Sequence, residues 1–244
     1  NFILYEKSPT LIKIQKKKLR KLKISWISKI KKIRKIPSIF LANEFFDALP
    51  IKQLDKKGNL WFEKCVDLTN KEKPFFFKKK IDIQKIEKKI QFKISHNQNF
   101  IEYSKEGLET IKNISGIIKK NTGGLLIIDY GYNEKKMKDT LQGISNHKFA
   151  NILSNIGNVD ITHNINFDLF KKLIKFMGNL ESCITTQKKF LINMGIRERA
   201  EIIAKNQSFL KKANIYYRLK RLIDEKHMGI LFKVMLIKNK KNKF

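Results

Sequence analysis

The chain has 244 residues, is 42% hydrophobic and has a mean hydropathy of -0.39; it can bury a core, and with no apolar run near the ~18 residues a membrane span needs, a spanning helix is excluded. Cys65 and Cys183 stand far apart without a nearby Cys or His, which excludes a disulfide scaffold and a zinc site and suits a reducing compartment. The net charge of +31 invites a polyanion partner, but it comes almost entirely from lysine rather than from arginine, the residue of shaped phosphate and base recognition; the bias reads as AT-rich coding drift, and nucleic-acid binding is the minor reading.

In chain order, Phe2-Ile3-Leu4-Tyr5 is a short apolar strand ended by Glu6. Ser8 and Pro9 suit a helix start, and Leu11, Ile12, Leu19 and Leu22 give a helical face. Asn1 opens directly on that strand without a charged leader or an initiator Met, so the chain is expected to be a fragment. A second strand, Ile39 to Ala42, ends in Asn43-Glu44-Phe45-Phe46-Asp47-Ala48-Leu49-Pro50. Ile51 to Leu54, a turn at Asp55 to Gly58, and the alternating Leu60, Phe62, Val66 and Leu68 predict a β-hairpin. Lys71 to Lys93, with Phe75-Phe76-Phe77 inside it, is weakly patterned and is expected to be a surface insertion.

Leu108, Ile111, Ile114 and Ile118 then predict a helix stopped by Asn121-Thr122-Gly123-Gly124. Leu125 to Ile128 is apolar throughout, as a central parallel strand should be, and ends at Asp129-Tyr130-Gly131-Tyr132. Phe167 to Phe176 and Gln187 to Ala204 read as helices, and Gly229 to Ile237 as a closing strand. Helix followed by buried strand implies a parallel sheet with right-handed crossovers.

In such sheets ligands bind at the carboxyl ends of the strands. Three ends here are polar: Glu6, Asn43-Glu44 and Asp129-Tyr130. An acid at a strand end can accept the hydroxyls of a ribose, which is one reading of Glu6; a solvated acid beside a helix cap is the other. Glu44 and Asp47, three apart, can share a helical face and grip a cationic substrate group, or can be an acidic first turn facing the helix dipole. His96, His147, His163 and His227 are scattered and read as surface or structural residues. No Gly-x-Gly occurs, so the chain holds no nucleotide loop, and no metal site is expected.

Ordered blocks along the chain resemble the MidA-like family, which includes a mitochondrial complex I assembly methyltransferase and bacterial relatives. Asn43 to Pro50 with Ala42 resembles the family's "ANEffDALP"; Glu6-Lys7-Ser8-Pro9 with Gln15 resembles "VExSPxLrxxQ". Gly123 to Tyr132 resembles "GGalliiDYGy", and Asp139-Thr140-Leu141-Gln142 followed by His147 resembles "DTLqa…H". Asp160-Ile161-Thr162 with Phe167, Thr186-Gln187 with Arg199-Ala200, and Met228 to Val234 resemble three further blocks, so that the likeness runs from residue 3 to about 237. The family's "GPGrGtL" loop, upstream of the Glu6 strand, is missing, and its "vdF" acid is Asn166.

The resemblance implies an α/β class I methyltransferase fold that uses S-adenosylmethionine (SAM), Rossmann-like with a mostly parallel sheet and helices on both faces, without its first strand and glycine loop. Residues 1–50 would be the cofactor half, 51–100 an inserted hairpin and surface segment, and 101–244 the remainder with substrate-side helices. It implies a protein substrate methylated on arginine, a respiratory complex I subunit being the candidate, in a bacterial cytoplasm or a mitochondrial matrix. Glu44, then Asp47, are assigned to catalysis; Glu6, Ser8 and Asn43 to the cofactor; Asp129, Tyr130 and Tyr132 to the substrate side. His147, Asp160 and Thr162 match family positions without a physical role. A non-catalytic assembly factor of the same fold and a lysine-driven nucleic-acid-binding protein are the alternatives.

Overall fold

The computed structural model describes residues 2–30, 33, 36–146, 148–154 and 156–242; His147 lies outside the described residues. Strand β1 (Phe2–Tyr5) leads into helix α1 (Pro9–Lys18), where the Ser8 hydroxyl accepts the Leu11 amide and Pro9 opens the first turn. The helix is shorter than its apolar pattern suggested: Leu19 caps it and Leu22 lies beyond. After it comes a strand the sequence reading missed, β2 (Ile24–Ile27), which runs parallel to β1 as a separate pair.

The central sheet is built on β8 (Gly123–Tyr132). One edge of β8 takes β3 (Ser38–Asn43) in parallel along 123–128 and then the two-residue β12 (Ile165–Asn166) at 131–132. The other edge takes β14 (Phe232–Asn239), beyond which lies β13 (Leu180–Thr186). β14 is antiparallel to both neighbours, so the closing strand departs from the otherwise parallel order.

Period-two alternation decides which side of this sheet is filled. Leu125 and Ile127 of β8 are fully buried with Met235 and Ile237 of β14 against α3 (Lys105–Asn121) and α4 (Phe167–Met177). Both helices have side-chain caps: Ser104 accepts the Gly107 amide and Asn166 the Leu169 amide. On the opposite face Leu126 and Ile128 are half-buried, and Ile39 and Leu41 of β3 face solvent. The Asn121–Gly124 stop works through backbone geometry. Thr122 and Gly123 both take positive φ, and a Cβ at Gly123 would lie 2.0 Å from the Ser38 carbonyl oxygen, so only glycine lets β3 pair there.

Between β3 and α3 lies a second, antiparallel sheet in the order β6-β5-β4-β7, made of β4 (Lys52–Lys57), β5 (Leu60–Leu68), β6 (Pro74–Ile81) and β7 (Phe100–Tyr103). The expected hairpin is β4–β5, turning at Gly58 with φ 57. The weakly patterned Lys71–Lys93 stretch is in fact ordered: it supplies edge strand β6 and helix α2 (Ile83–Ile90), capped by Asp82. A third sheet joins β9 (Gln142–Ser145), β10 (Lys148–Ala150) and β11 (Asp160–Thr162). The expected helix 187–204 is two helices, α5 (Gln187–Asn193) and α6 (Ile196–Ala204), broken where Gly195 takes φ 75. Helix α7 (Phe209–Ile223) and the single turn α8 (Met228–Leu231) complete a cluster between β13 and β14. Because α5 follows the end of β13 and α8 precedes the start of antiparallel β14, this cluster sits at the carboxyl end of β8.

Candidate active site

The Asn43–Leu49 segment is the hub. Glu44 was expected on a helix; instead it takes φ 45, its amide bonds the Ile128 carbonyl at 2.9 Å, and no helix follows. The next three amides, of Phe45, Phe46 and Asp47, all donate to Asp129 Oδ2, at 3.3, 3.0 and 3.4 Å, while Asp129 Oδ1 accepts its neighbour Tyr130's amide at 3.0 Å. One carboxyl group thus holds all three amides, and the segment turns without starting a helix. The shared helical face expected for Glu44 and Asp47 therefore does not exist: Glu44 is exposed and Asp47 buried.

Asp129 was assigned to the substrate channel, but it is 0% exposed and fully occupied as the anchor of this loop. Burial, then the Asp47 carboxylate, push its pKa up to about 7, against the pull of the backbone amides. Tyr130 donates its hydroxyl to Asp47 Oδ2 at 2.6 Å and packs its ring edge-on to Phe232 at 5.4 Å; burial raises its pKa. The Tyr132 hydroxyl accepts the Lys138 amide at 3.0 Å, with the Lys138 ammonium 5.3 Å from the ring centroid.

The β1 end is joined to this hub through aromatic rings. Tyr5 meets Phe45 edge-on at 5.8 Å, Phe45 meets Phe46 at 5.0 Å, and Phe46 meets Phe170 of α4 at 5.2 Å. Glu6, directly after Tyr5, is held in one orientation: Oε1 accepts the Lys7 and Ser8 amides at 2.8 and 2.9 Å, and Oε2 accepts the Gln15 side-chain amide at 3.2 Å. Gln15 is itself fixed by the Trp26 indole at 2.8 Å. A carboxylate offers about four acceptor positions, so one remains for an incoming hydroxyl, and a second opens if Gln15 yields. The residues thus fit a ribose. Ser8 donates its amide to Glu6, and its hydroxyl is committed to the helix cap. Asn43 is exposed beside Glu44, its side-chain amide 3.4 Å from the Glu44 carboxylate.

Next to Glu6 opens a cleft of about 460 Å³, lined in part by Tyr5, Lys7, Ile30, Ile51, Lys105 and Glu106, within the range of small-molecule sites. Lys7 closes one side by an ion pair to Glu106 at 2.8 Å. Behind the hub lies a buried polar network that the sequence reading did not find. Glu102 accepts Gln53 at 2.6 Å and the Thr140 hydroxyl and amide; Thr140 in turn accepts the Asn164 amide at 2.9 Å. The His163 amide bonds the Asp47 carbonyl at 3.3 Å, and burial lowers the pKa of its ring. Only the block Asp139-Thr140-Leu141 hinted at this network, since a charge pattern on one chain segment says nothing of the acid it meets across the fold.

Comparisons with known proteins identify the family and the fold. A family model described as "Putative S-adenosyl-L-methionine-dependent methyltransferase" matches residues 1–184. The mitochondrial protein arginine methyltransferase NDUFAF7 of Danio rerio is 28% identical over 218 residues, 83% of this chain and 47% of that protein. Its Caenorhabditis elegans homologue is 31% identical over 168 residues, 66% of this chain and 38% of that one. The chain therefore spans less than half the length of these relatives. A Burkholderia thailandensis protein crystallised with S-adenosyl-homocysteine superimposes with a TM-score of 0.77 at 19% identity, over 98% of this chain and 64% of that one, which establishes the common fold. With three quarters of its length matched by the family model, and an Asn43–Asp47 hub drawn to the carboxyl ends of β3 and β8, the chain belongs to the S-adenosyl-L-methionine-dependent methyltransferase family.

Proposed function

We propose that the protein transfers a methyl group from SAM to an arginine side chain of a protein substrate. The observation that carries this reading is the convergence of Glu6, Asn43-Glu44 and the Asp129–Asp47–Tyr130 anchor through one chain of packed rings and one set of amide bonds. The cofactor supplies, when bound, an electrophilic methyl group on a sulfonium. Glu6 would hold the ribose and Asn43 the methionine portion, with the adjoining cleft taking the rest of the nucleoside.

The protein's own part is positioning, since in-line displacement depends on holding the two partners aligned. A guanidinium with a pKa above 12 is a poor nucleophile. Glu44, exposed beside Asn43 and with its second carboxylate oxygen unpartnered among the described residues, orients it and holds its positive charge away from the attacking nitrogen. Asp47 acts from behind, through Tyr130 and the loop it closes, rather than on the substrate itself. The candidate substrate is a respiratory complex I subunit, and the compartment is the mitochondrial matrix in a eukaryote or the cytoplasm in a bacterium. The test is to incubate the full-length protein with methyl-labelled SAM and hypomethylated extract, then analyse the hydrolysate. Label in methylarginine is expected, falling about a hundredfold in Glu44→Gln. Label confined to other residues, or undiminished in Glu44→Gln, overturns the substrate class or the role of Glu44 respectively.

A further inference from the structure

Helix α7 buries none of its fifteen residues. Its inner side, with Ile215, Leu219, Leu222 and Ile223, is half-buried towards α5, α6 and α8. Steps of about 100° per residue place Phe209, Leu210, Ala213 and Tyr217 on the outward side. Phe209 is 83% exposed, Leu210 79% and Tyr217 70%. Positions 205–223 carry six cations and no acid. None of the six makes an ion pair among the described residues.

We propose that the outward face of α7 docks the protein on an anionic lipid surface. Lys220 and Arg221 stand beside the aromatic and leucine ridge, on a helix that carries five cations and no acid of its own; they complement a layer of lipid phosphates, while the ridge enters the boundary between headgroups and acyl chains. Tyr217 suits that boundary, having an apolar ring and a polar tip. The face is a convex ridge. A fluid surface conforms to a ridge, whereas a protein partner would need a matching groove. With fifteen residues, five of them cationic, the helix is too short and too charged to cross a bilayer, so it lies in the plane of the interface.

The test is sedimentation of the full-length protein with vesicles of phosphatidylcholine alone or doped with phosphatidylglycerol. Binding to the doped vesicles is expected, with little to the neutral ones. The triple variant Phe209→Ser, Leu210→Ser, Tyr217→Ser keeps the net charge and removes only exposed side chains, so its circular dichroism and melting curve should match wild type. Its vesicle affinity should fall about tenfold or more. Absence of binding to doped vesicles overturns the proposal. Equal binding by wild type and the triple variant also overturns it, because the diffuse positive charge of the chain would then account for the adsorption.

Discussion

Asp129 occupies a place where two demands oppose each other. Four backbone amides call for a carboxylate, yet burial and the neighbouring Asp47 raise its pKa to about 7. An acid whose pKa rises on folding binds more protons folded than unfolded between about 4 and about 7, so its contribution to stability declines as pH rises through that window. Asp129→Asn keeps one carbonyl for the loop and cannot ionise. The stability of wild type relative to Asp129→Asn should therefore fall from pH 4 to pH 7, as read from urea midpoints; a flat difference would mean that Asp129 stays ionised throughout. His163 works in the other direction, since its lowered pKa makes the folded state resist protonation and lose stability on acidification. Phe46, 1% exposed between Phe45 and Phe170, locks the loop from the opposite side. Phe46→Ala should cost about 3–5 kcal/mol in chemical denaturation. The acids at these strand ends were legible because each follows an apolar run. The shape of the Glu44–Asp47 segment was not, because the acid that captures its amides is more than eighty residues away.

At the scale of elements, the same division holds. α3, α4 and β8 each bury one face; the helical spacing of Leu108, Ile111, Ile114 and Ile118 announced α3, and the unbroken apolar run Leu125 to Ile128 announced β8. β6 did not announce itself: Phe75, Phe76 and Phe77 are 40%, 38% and 36% exposed, so neither face is the buried one and no alternation arises. α7 went unread because its half-buried stripe, Ile215, Leu219, Leu222 and Ile223, is blurred by the exposed Phe209, Leu210, Tyr216 and Tyr217 around it. β2 is four residues long and follows a lysine-rich run. The Gly123-Gly124 pair, by contrast, was read correctly as a stop, though its stronger role is steric. Gly123→Ala would force the β3–β8 ladder apart, with φ 102 and a contact of 2.0 Å to Ser38. It should lower the melting temperature more than Gly116→Ala, a helical position where a Cβ meets nothing within 4 Å. Equal effects would show that β3 can shift without loss.

Over the whole molecule, the formal charge of +31 is not matched at the strand ends, which carry Glu6, Glu44, Asp47 and Asp129, although Lys7, Lys52 and Lys105 line the cleft beside Glu6. Of these acids only the exposed Glu44 is suited, under the proposed function, to receive a cationic side chain. The α/β class was legible in the order of elements; the antiparallel closing strand and the open face of the sheet were not, since Ile39 and Leu41 look like core residues in the sequence and face solvent in the fold. The proposed function requires that the three strand ends form one crevice for the cofactor. Titrating the full-length protein with S-adenosyl-homocysteine while following backbone amide resonances measures this directly. The largest shifts are expected together at Tyr5–Ser8, Asn43–Asp47 and Asp129–Tyr132; shifts confined to one of these segments, or centred on the β5–β6 hairpin or α7, would contradict it.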